Sequence, residues 1–304
     1  MTSFGISTDV DLAAEVLRNG GIIGLPTETV YGLAALATNE MAVHRIFDTK
    51  GRPRNHPLII HLSRSADFTQ WGHFDETALV LAHEFWPGPL TLLVPRTSLV
   101  PDWVTGGRDT VAIRVPNHQM AQDLLEKVND GVVAPSANRF GKVSPTSAMH
   151  VVADLGNEVD LVLDGGRSDV GVESTIVECT QEFQILRPGN ISESEISRVA
   201  KRTLGSSSGP SRAPGMLESH YAPDAKVILA ESIEEAEQLS IDMPAGTTKR
   251  ILHIPNVLEF AENLYSELRR ADDDRIDVLI AVRAHPEGLG IAINDRLMKA
   301  AALR

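Results

Sequence analysis

Apolar positions along the chain fall into short runs punctuated by proline and glycine, with helically spaced segments between them. Gly21 to Leu25 is one such run. It reads as a buried strand that stops at Pro26, whose ring fixes φ and removes a donor. Thr27, Glu28, Thr29 and Tyr31 then crowd a turn ending at Gly32, expected to join strand to helix. Asn39 is placed to cap a helix carrying Ala42, Ile46 and Phe47 on one face. That helix runs out in a cationic loop of Lys50, Gly51, Arg52, Pro53, Arg54, Asn55 and His56, and Leu58 to Leu62 follows as a second apolar strand with His61 inside it. A strand edge of hydroxyls and a carboxylate therefore faces fixed positive charge, which suits a small polar substrate held beside a polyanion.

The same reading covers the rest of the chain. Asp9 to Asn19 is predicted helical, with Leu12, Val16 and Leu17 on one face and Gly20 just past its end. Further helices are expected over Thr77 to Phe85, Gln119 to Val128, from near Thr146, and over Ser192 to Leu204. Strands are expected at Leu90 to Pro95, Val111 to Val115, Val132 to Ala134, Leu161 to Asp164, Ser174 to Glu178 and Phe183 to Arg187. This irregular alternation predicts a layered α/β domain with a mixed, twisted sheet over residues 1–204.

Composition shifts at Gly205. GSSSGPSRAPGMLESHYAP is rich in Ser, Gly and Pro and lacks periodicity, so residues 205–224 read as a linker able to extend about 60 Å. Its end presents His220 and Tyr221. Residues 225–304 show a β-α-β-α-β-α order, with strands at Lys226 to Leu229, Arg250 to Ile254 and Asp277 to Ala281 and helices at Glu234 to Leu239, Val257 to Arg270 and Ile291 to Ala302. Ser232 with Glu235, and Asn256 with Glu259, mark two helix starts. A small Rossmann-like parallel α/β unit follows. Gly288-Leu289-Gly290 opens the last helix without forming a full dinucleotide fingerprint.

Composition narrows the function. A chain of 304 residues with 42% hydrophobic and 23% charged residues is an ordinary soluble globular protein of about two domains. Its net charge of −13 argues against broad attraction to nucleic acid or anionic membrane, so a phosphate ligand must be held by the few clustered basic residues. The single cysteine, Cys179, permits no internal disulfide or Cys-rich metal site, and its place in a strand makes it a buried, inert thiol. No basic region followed by an apolar run opens the chain and no window is long enough to span a bilayer, so a cytoplasmic protein is expected. Gly-x-Ser-x-Gly, Walker-type and His/Cys zinc patterns are all missing, which leaves no protein metal site and no covalent nucleophile. What remains is a binding constellation that works by positioning and charge stabilisation.

The motifs PTETVYGL (26–33), KGRP (50–53), HPLIIHL (56–62), WPGPLT (86–91), VAIRVP (111–116), APSAN (134–138), ESTIV (173–177) and ILRPG (185–189), in that order, resemble the threonylcarbamoyl-AMP synthases, the YrdC-like superfamily, in their two-domain form. The resemblance implies a YrdC-like three-layer fold and synthesis of threonylcarbamoyl-AMP and pyrophosphate from L-threonine, bicarbonate or carbon dioxide, and ATP with Mg²⁺. Separate partner proteins then use the product to modify tRNA beside the anticodon, so tight tRNA binding by this chain is not expected. It also implies a threonine site at Thr29, His61, Arg114, Ala134 and Ser174, with Arg114 the partner of the substrate carboxylate. ATP contacts are implied at Arg52, Thr110, Ser136, Ser144, Arg187 and Tyr221, with Lys50 and Asn138 beside them. Lys50 and Arg52 are expected to screen the attack on the α-phosphate. His56 stands where family members often have Asn, and Asn55 is the alternative contact. Glu28 and Glu173 are read as structural caps, and the linker as a cover over the nucleotide. Two other readings stay open here: an O-carbamoyltransferase of the same superfamily, and a non-enzymatic RNA-binding module using the Lys50 to Arg54 loop.

Overall fold

The computed structural model describes residues 5–205 and 221–302. The first part runs β1 (Ile6–Ser7), α1 (Val10–Arg18), β2 (Ile23–Leu25), β3 (Gly32–Leu36), α2 (Glu40–Lys50), β4 (Ile59–His61), α3 (Glu76–Phe85), β5 (Leu90–Pro95), α4 (Asp102–Thr105) and β6 (Thr110–Arg114). It continues with α5 (Gln119–Val128), β7 (Val132–Val133), α6 (Ala148–Leu155), β8 (Leu161–Leu163), β9 (Thr175–Cys179), β10 (Phe183–Arg187) and α7 (Glu193–Ala200). Asn39 caps its helix as expected, accepting from Ala42 N, and the structure adds a complete capping box of Ser192 with Glu195.

The strands form one mixed sheet in the order β1-β8-β2-β3-β7-β4-β6-β5-β9-β10. Alternation along them divides the core into two layers. Leu33, Ala35, Ile60, Ile113, Val133 and Val162 face α2, α3, α6 and α7, while Leu25, Ala34, Val132, Leu161 and Leu163 face α1 and α5. The three-layer arrangement expected from the sequence is present. Helices α1 and α5 cover only part of their face, however. Across β4, β6, β5 and β9 that face carries just a small apolar cluster of Ile59, Leu93, Ala112, Ile176 and Leu186. Beyond this cluster the same face turns polar, and there the site is built.

Two local expectations need correction. The polar turn after Pro26 joins two antiparallel strands, with Leu25 opposite Gly32, and no helix follows it. Gly32–Leu36 is a short all-apolar run buried on both faces, which periodicity alone cannot tell from a helix. The helix expected to reach Leu204 ends at Ala200, where Lys201 takes a left-handed φ of 50°. The short elements β1 and α4 carry too few residues to show a period.

The second part contains β11 (Lys226–Ala230), α8 (Ile233–Asp242), β12 (Lys249–Leu252), α9 (Val257–Asp273), β13 (Val278–Val282) and α10 (Leu289–Ala301), with a parallel sheet in the order β11-β13-β12. Leu279 and Ala281 face α9 and α10, and Ile280 with Val282 faces α8, so this unit is also three-layered as expected. It docks through shared apolar and polar contacts. Val30, Val143 and Val172 join Phe260, Leu264 and Tyr265 in one buried cluster. Arg269 forks onto Asp154 at 2.6 and 2.8 Å, and it also donates to the carbonyls of Val143 and Ser144. Among the described residues no helix is long and apolar enough to cross a membrane.

Candidate functional site

Strand register places the polar side chains. His61 pairs with Arg114 across β4 and β6, both pointing the same way as Ile59 and Ala112 two residues earlier. Thr91 on β5 and Ser174 just before β9 share that face, and their hydroxyls lie 2.7 Å apart. The β2–β3 turn folds over the strand ends. Thr27 Oγ1 donates to the Val30 carbonyl and contacts Thr29 Oγ1, so the turn holds its own backbone and presents Thr29. Gly32 lets β3 press against the APSAN loop, since a Cβ there would meet Ala134 Cβ at 2.8 Å.

Thr29, Lys50, Arg52, His61, Arg114, Ala134, Ser136, Ser174, Arg187 and Tyr221 line one cavity, with Phe140 and Glu173 completing its wall. Its volume is about 50 Å³, room for a few waters. In a chain of net charge −13 this is a strongly cationic spot.

Arg114 is the hub of one side of the cavity. It donates to Thr29 Oγ1 at 2.8 Å and to the Gly88 carbonyl at 3.2 Å. Its remaining terminal nitrogen lies 2.8 Å from Glu28 Oε1 but off the hydrogen-bonding axis, so that N–H stays unpartnered. Glu28 also accepts from Asn117 N. It is thus a counter-ion and tie, consistent with a structural role. His61 is fully enclosed, and burial together with the Arg114 charge lowers its pKa to about 3. It is a neutral imidazole at any working pH, and its Nδ1 has no partner.

On the other side Arg52 is buried. It donates once, to the Pro57 carbonyl at 2.9 Å, lies 5.9 Å from the Phe140 ring centre, and leaves Nε unpartnered. Burial, with the Arg187 charge adding to it, lowers its pKa to about 10 despite the opposing influence of Tyr221. Such an incompletely paired guanidinium fits a phosphate. Arg187 donates to both the carbonyl and the hydroxyl of Ser174, at 3.1 and 3.0 Å.

Lys50 departs from its expected role. Its ammonium donates to the carbonyls of Ser136 and Asn138, at 2.5 and 2.6 Å, and burial holds its pKa well below the usual value. Two of its three donors therefore staple the APSAN loop, which makes it a loop anchor more than a free screening charge. Asn138 and Ser144 stand behind the cavity wall. Asn138 donates to the Arg139 and Lys142 carbonyls, and Ser144 donates to Glu173 at 2.6 Å. His56 packs edge-on against Phe140, with ring centres 5.6 Å apart. Asn55 is exposed, and its carbonyl accepts from Arg108. Thr110 lies opposite Pro95 at the far end of β6, four residues and about 13 Å from Arg114, and does not line the cavity. Cys179 is buried, and burial pushes its thiol up to about 12. His220 lies outside the described residues.

Comparison with known proteins adds independent findings. The Sua5_yciO_yrdC family model, described as "Telomere recombination", matches residues 15–189, and the model for the threonylcarbamoyl-AMP synthase C-terminal domain matches residues 191–302. The chain belongs to the Sua5/YciO/YrdC family. Relatives named threonylcarbamoyl-AMP synthase from Pyrococcus abyssi and Bacillus subtilis are 39% and 38% identical to it, covering 97% and 96% of this chain and 94% and 92% of their own. The crystal structure of Pyrococcus abyssi Sua5 complexed with L-threonine superposes with a TM-score of 0.92 at 37% identity, covering 99% of this chain and 98% of that one. The family fold and the second domain are thereby established for this sequence.

The structure also gives two residues roles the sequence did not suggest. Glu173 receives Tyr265 from α9 at 2.7 Å and Arg296 from α10 at 2.9 Å. Burial alone would raise its pKa, but Arg296, Arg187 and the Ser144 and Tyr265 hydroxyls bring it to about 2. It is the junction of the two domains, a larger role than a cap. Gly189 is a second such residue. A Cβ there would stand 2.3 Å from Thr175 N and 2.6 Å from both Glu173 O and Ser174 C, with only backbone to give way. Gly189→Ala is expected to destabilise by about 3 kcal/mol and weaken threonine binding, because it displaces Ser174. Urea unfolding with threonine titration checks this, and unchanged values for both would refute it.

Proposed function

We propose that this chain makes L-threonylcarbamoyl-AMP and pyrophosphate from L-threonine, bicarbonate or carbon dioxide, and ATP, supplying N6-threonylcarbamoyladenosine modification of tRNA. The observation that carries this is the shared cavity. Arg114 and His61 hold unpartnered polar atoms, and Arg52 an unpartnered Nε, in a wall shared with Thr29, Ser174 and Arg187, so an amino acid and a polyphosphate can lie side by side once the cavity opens.

Arg114 binds the threonine carboxylate through its unpartnered N–H, with Thr29 and Ser174 fixing the substrate's polar groups. Neutral His61 accepts a hydrogen bond at Nδ1, its single proton then residing on Nε2, and takes no proton from the amine. Once the amine has added to carbon dioxide and released its proton to solvent, the carbamate oxygen attacks the α-phosphorus. The bond to the bridging oxygen breaks, and pyrophosphate leaves with its electron pair. Attack of one anion on another needs cationic screening, which Arg52 and Arg187 supply from a dry wall. A Mg²⁺ ion carried on the triphosphate would add to the screening that Arg52 and Arg187 supply. A cavity of about 50 Å³ must widen to admit a nucleotide and, once closed again, excludes water from a hydrolysable anhydride.

The relatives' names support this reading over carbamoyl transfer, and the net acidity supports it over RNA binding. Pyrophosphate release from ATP is expected to require both threonine and bicarbonate. Equal turnover without threonine would sink the assignment.

A further inference from the structure

We propose that Arg296, on the last helix of the C-terminal domain, is a positioning residue for the threonine–nucleotide site, clamping the wall that carries Ser174 and Arg187. Arg296 is fully buried, yet it does not line the cavity. Its Nε donates to Glu173 at 2.9 Å, one terminal nitrogen donates to the Pro188 carbonyl at 3.0 Å, and the other donates to Asp295 at 2.5 Å. Its guanidinium carbon lies 5.3 Å from the centre of the Tyr221 ring.

The sequence positions of these partners give the contact its meaning. Glu173 immediately precedes Ser174, and Pro188 immediately follows Arg187. Ser174 and Arg187 hold each other through two hydrogen bonds. One guanidinium fork thus grips the chain on the outer side of each member of that pair, fixing the spacing between the segment entering β9 and the segment leaving β10. Only a planar, multidentate cation spans both sites. The second carboxylate oxygen of Glu173 accepts from Ser144, so the grip extends to the loop before α6.

A buried ion pair adds little net stability over well-packed apolar side chains. Its use here is therefore registration, and a site whose reacting groups drift by about 1 Å loses on the order of a hundredfold in rate. The charged and titratable groups facing Glu173 are Arg296 of α10, Arg187 of β10, Tyr265 of α9 and Tyr221, with Asp295 and Lys299 of α10 on the far side of Arg296. Arg296 is the largest influence holding the Glu173 carboxylate ionised against its burial.

The inference rests on the reaction proposed above, and the test separates the two. Arg296→Lys keeps the charge but cannot fork. It is expected to melt near the wild type, keep the wild-type pH profile and lose about tenfold in kcat/KM for threonine-dependent pyrophosphate formation. Arg296→Met removes the charge, so burial raises the Glu173 carboxyl and the acid limb of kcat/KM moves up by at least about one pH unit. Adding Glu173→Gln to Arg296→Met is expected to abolish that limb. A role in folding alone would move melting and leave the limb in place. Wild-type rates in Arg296→Lys, or an unmoved limb in folded Arg296→Met, overturn the proposal. Threonine calorimetry reads the same wall without turnover. Should the wild type bind threonine yet make no pyrophosphate, the reaction assignment falls, while weaker binding by Arg296→Lys still supports the clamp and equal binding refutes it.

Discussion

Arg114→Met is expected to raise the threonine requirement by about 10²–10³-fold while changing the ATP requirement by less than about threefold. Removing one member of a buried, hydrogen-bonded charge pair costs about 2–5 kcal/mol in binding, which spans that range. The side chain is 4% exposed and joins Thr29, Gly88 and Glu28, so methionine fills its volume without replacing a donor. A second effect has the same origin. Glu28, 7% exposed at its side chain, is left with its carboxylate facing an apolar thioether, and the folded state loses about 3 kcal/mol. Adding Glu28→Gln is expected to restore most of the stability and none of the threonine affinity. Initial rates at varied threonine and ATP, alongside urea unfolding, separate the two effects. A rise confined to ATP would assign Arg114 to the nucleotide instead.

Arg52→Met should do the reverse to stability. Arg52 has one hydrogen bond, to Pro57, and sits under Phe140 with Arg187 near enough to lower its pKa. Unpaired buried charge is a cost in the empty protein, so the methionine variant is expected to unfold at equal or higher urea concentration. Its kcat is expected to fall about 10²–10³-fold, the usual loss when a fixed donor aimed at developing charge is removed. Gain of stability with loss of turnover marks a residue kept for function. A variant that loses both together would mean Arg52 is structural.

Much of this was legible beforehand, and the exceptions share a cause. Strands such as Leu90–Pro95 and Phe183–Arg187, the helix Gln119–Val128, and caps such as Asn39 and Ser232 follow from local pattern, and they agree with the structure. Thr29, Arg52, His61, Arg114, Ser174, Arg187 and Tyr221 converge on one cavity because ordered motifs identified them. No local rule places Arg296 on Glu173, 123 positions away in the chain, or makes Lys50 spend its charge on two loop carbonyls. Gly32–Leu36 misled for a different reason. Burial on both faces erases the alternation by which a strand is recognised. Thr110 matches the family pattern without lining the cavity itself.

The fork on Glu173 also bears on how the protein is made. Ribosomes deliver the N-terminal part first, and it begins to fold while the remainder is still being synthesised. The carboxylate at position 173 therefore waits for a partner on α10, 123 positions further along the chain. Until that helix emerges, Glu173 has Arg187 beside it but lacks Arg296, so the wall carrying Ser174 takes its final shape only once the second domain has docked.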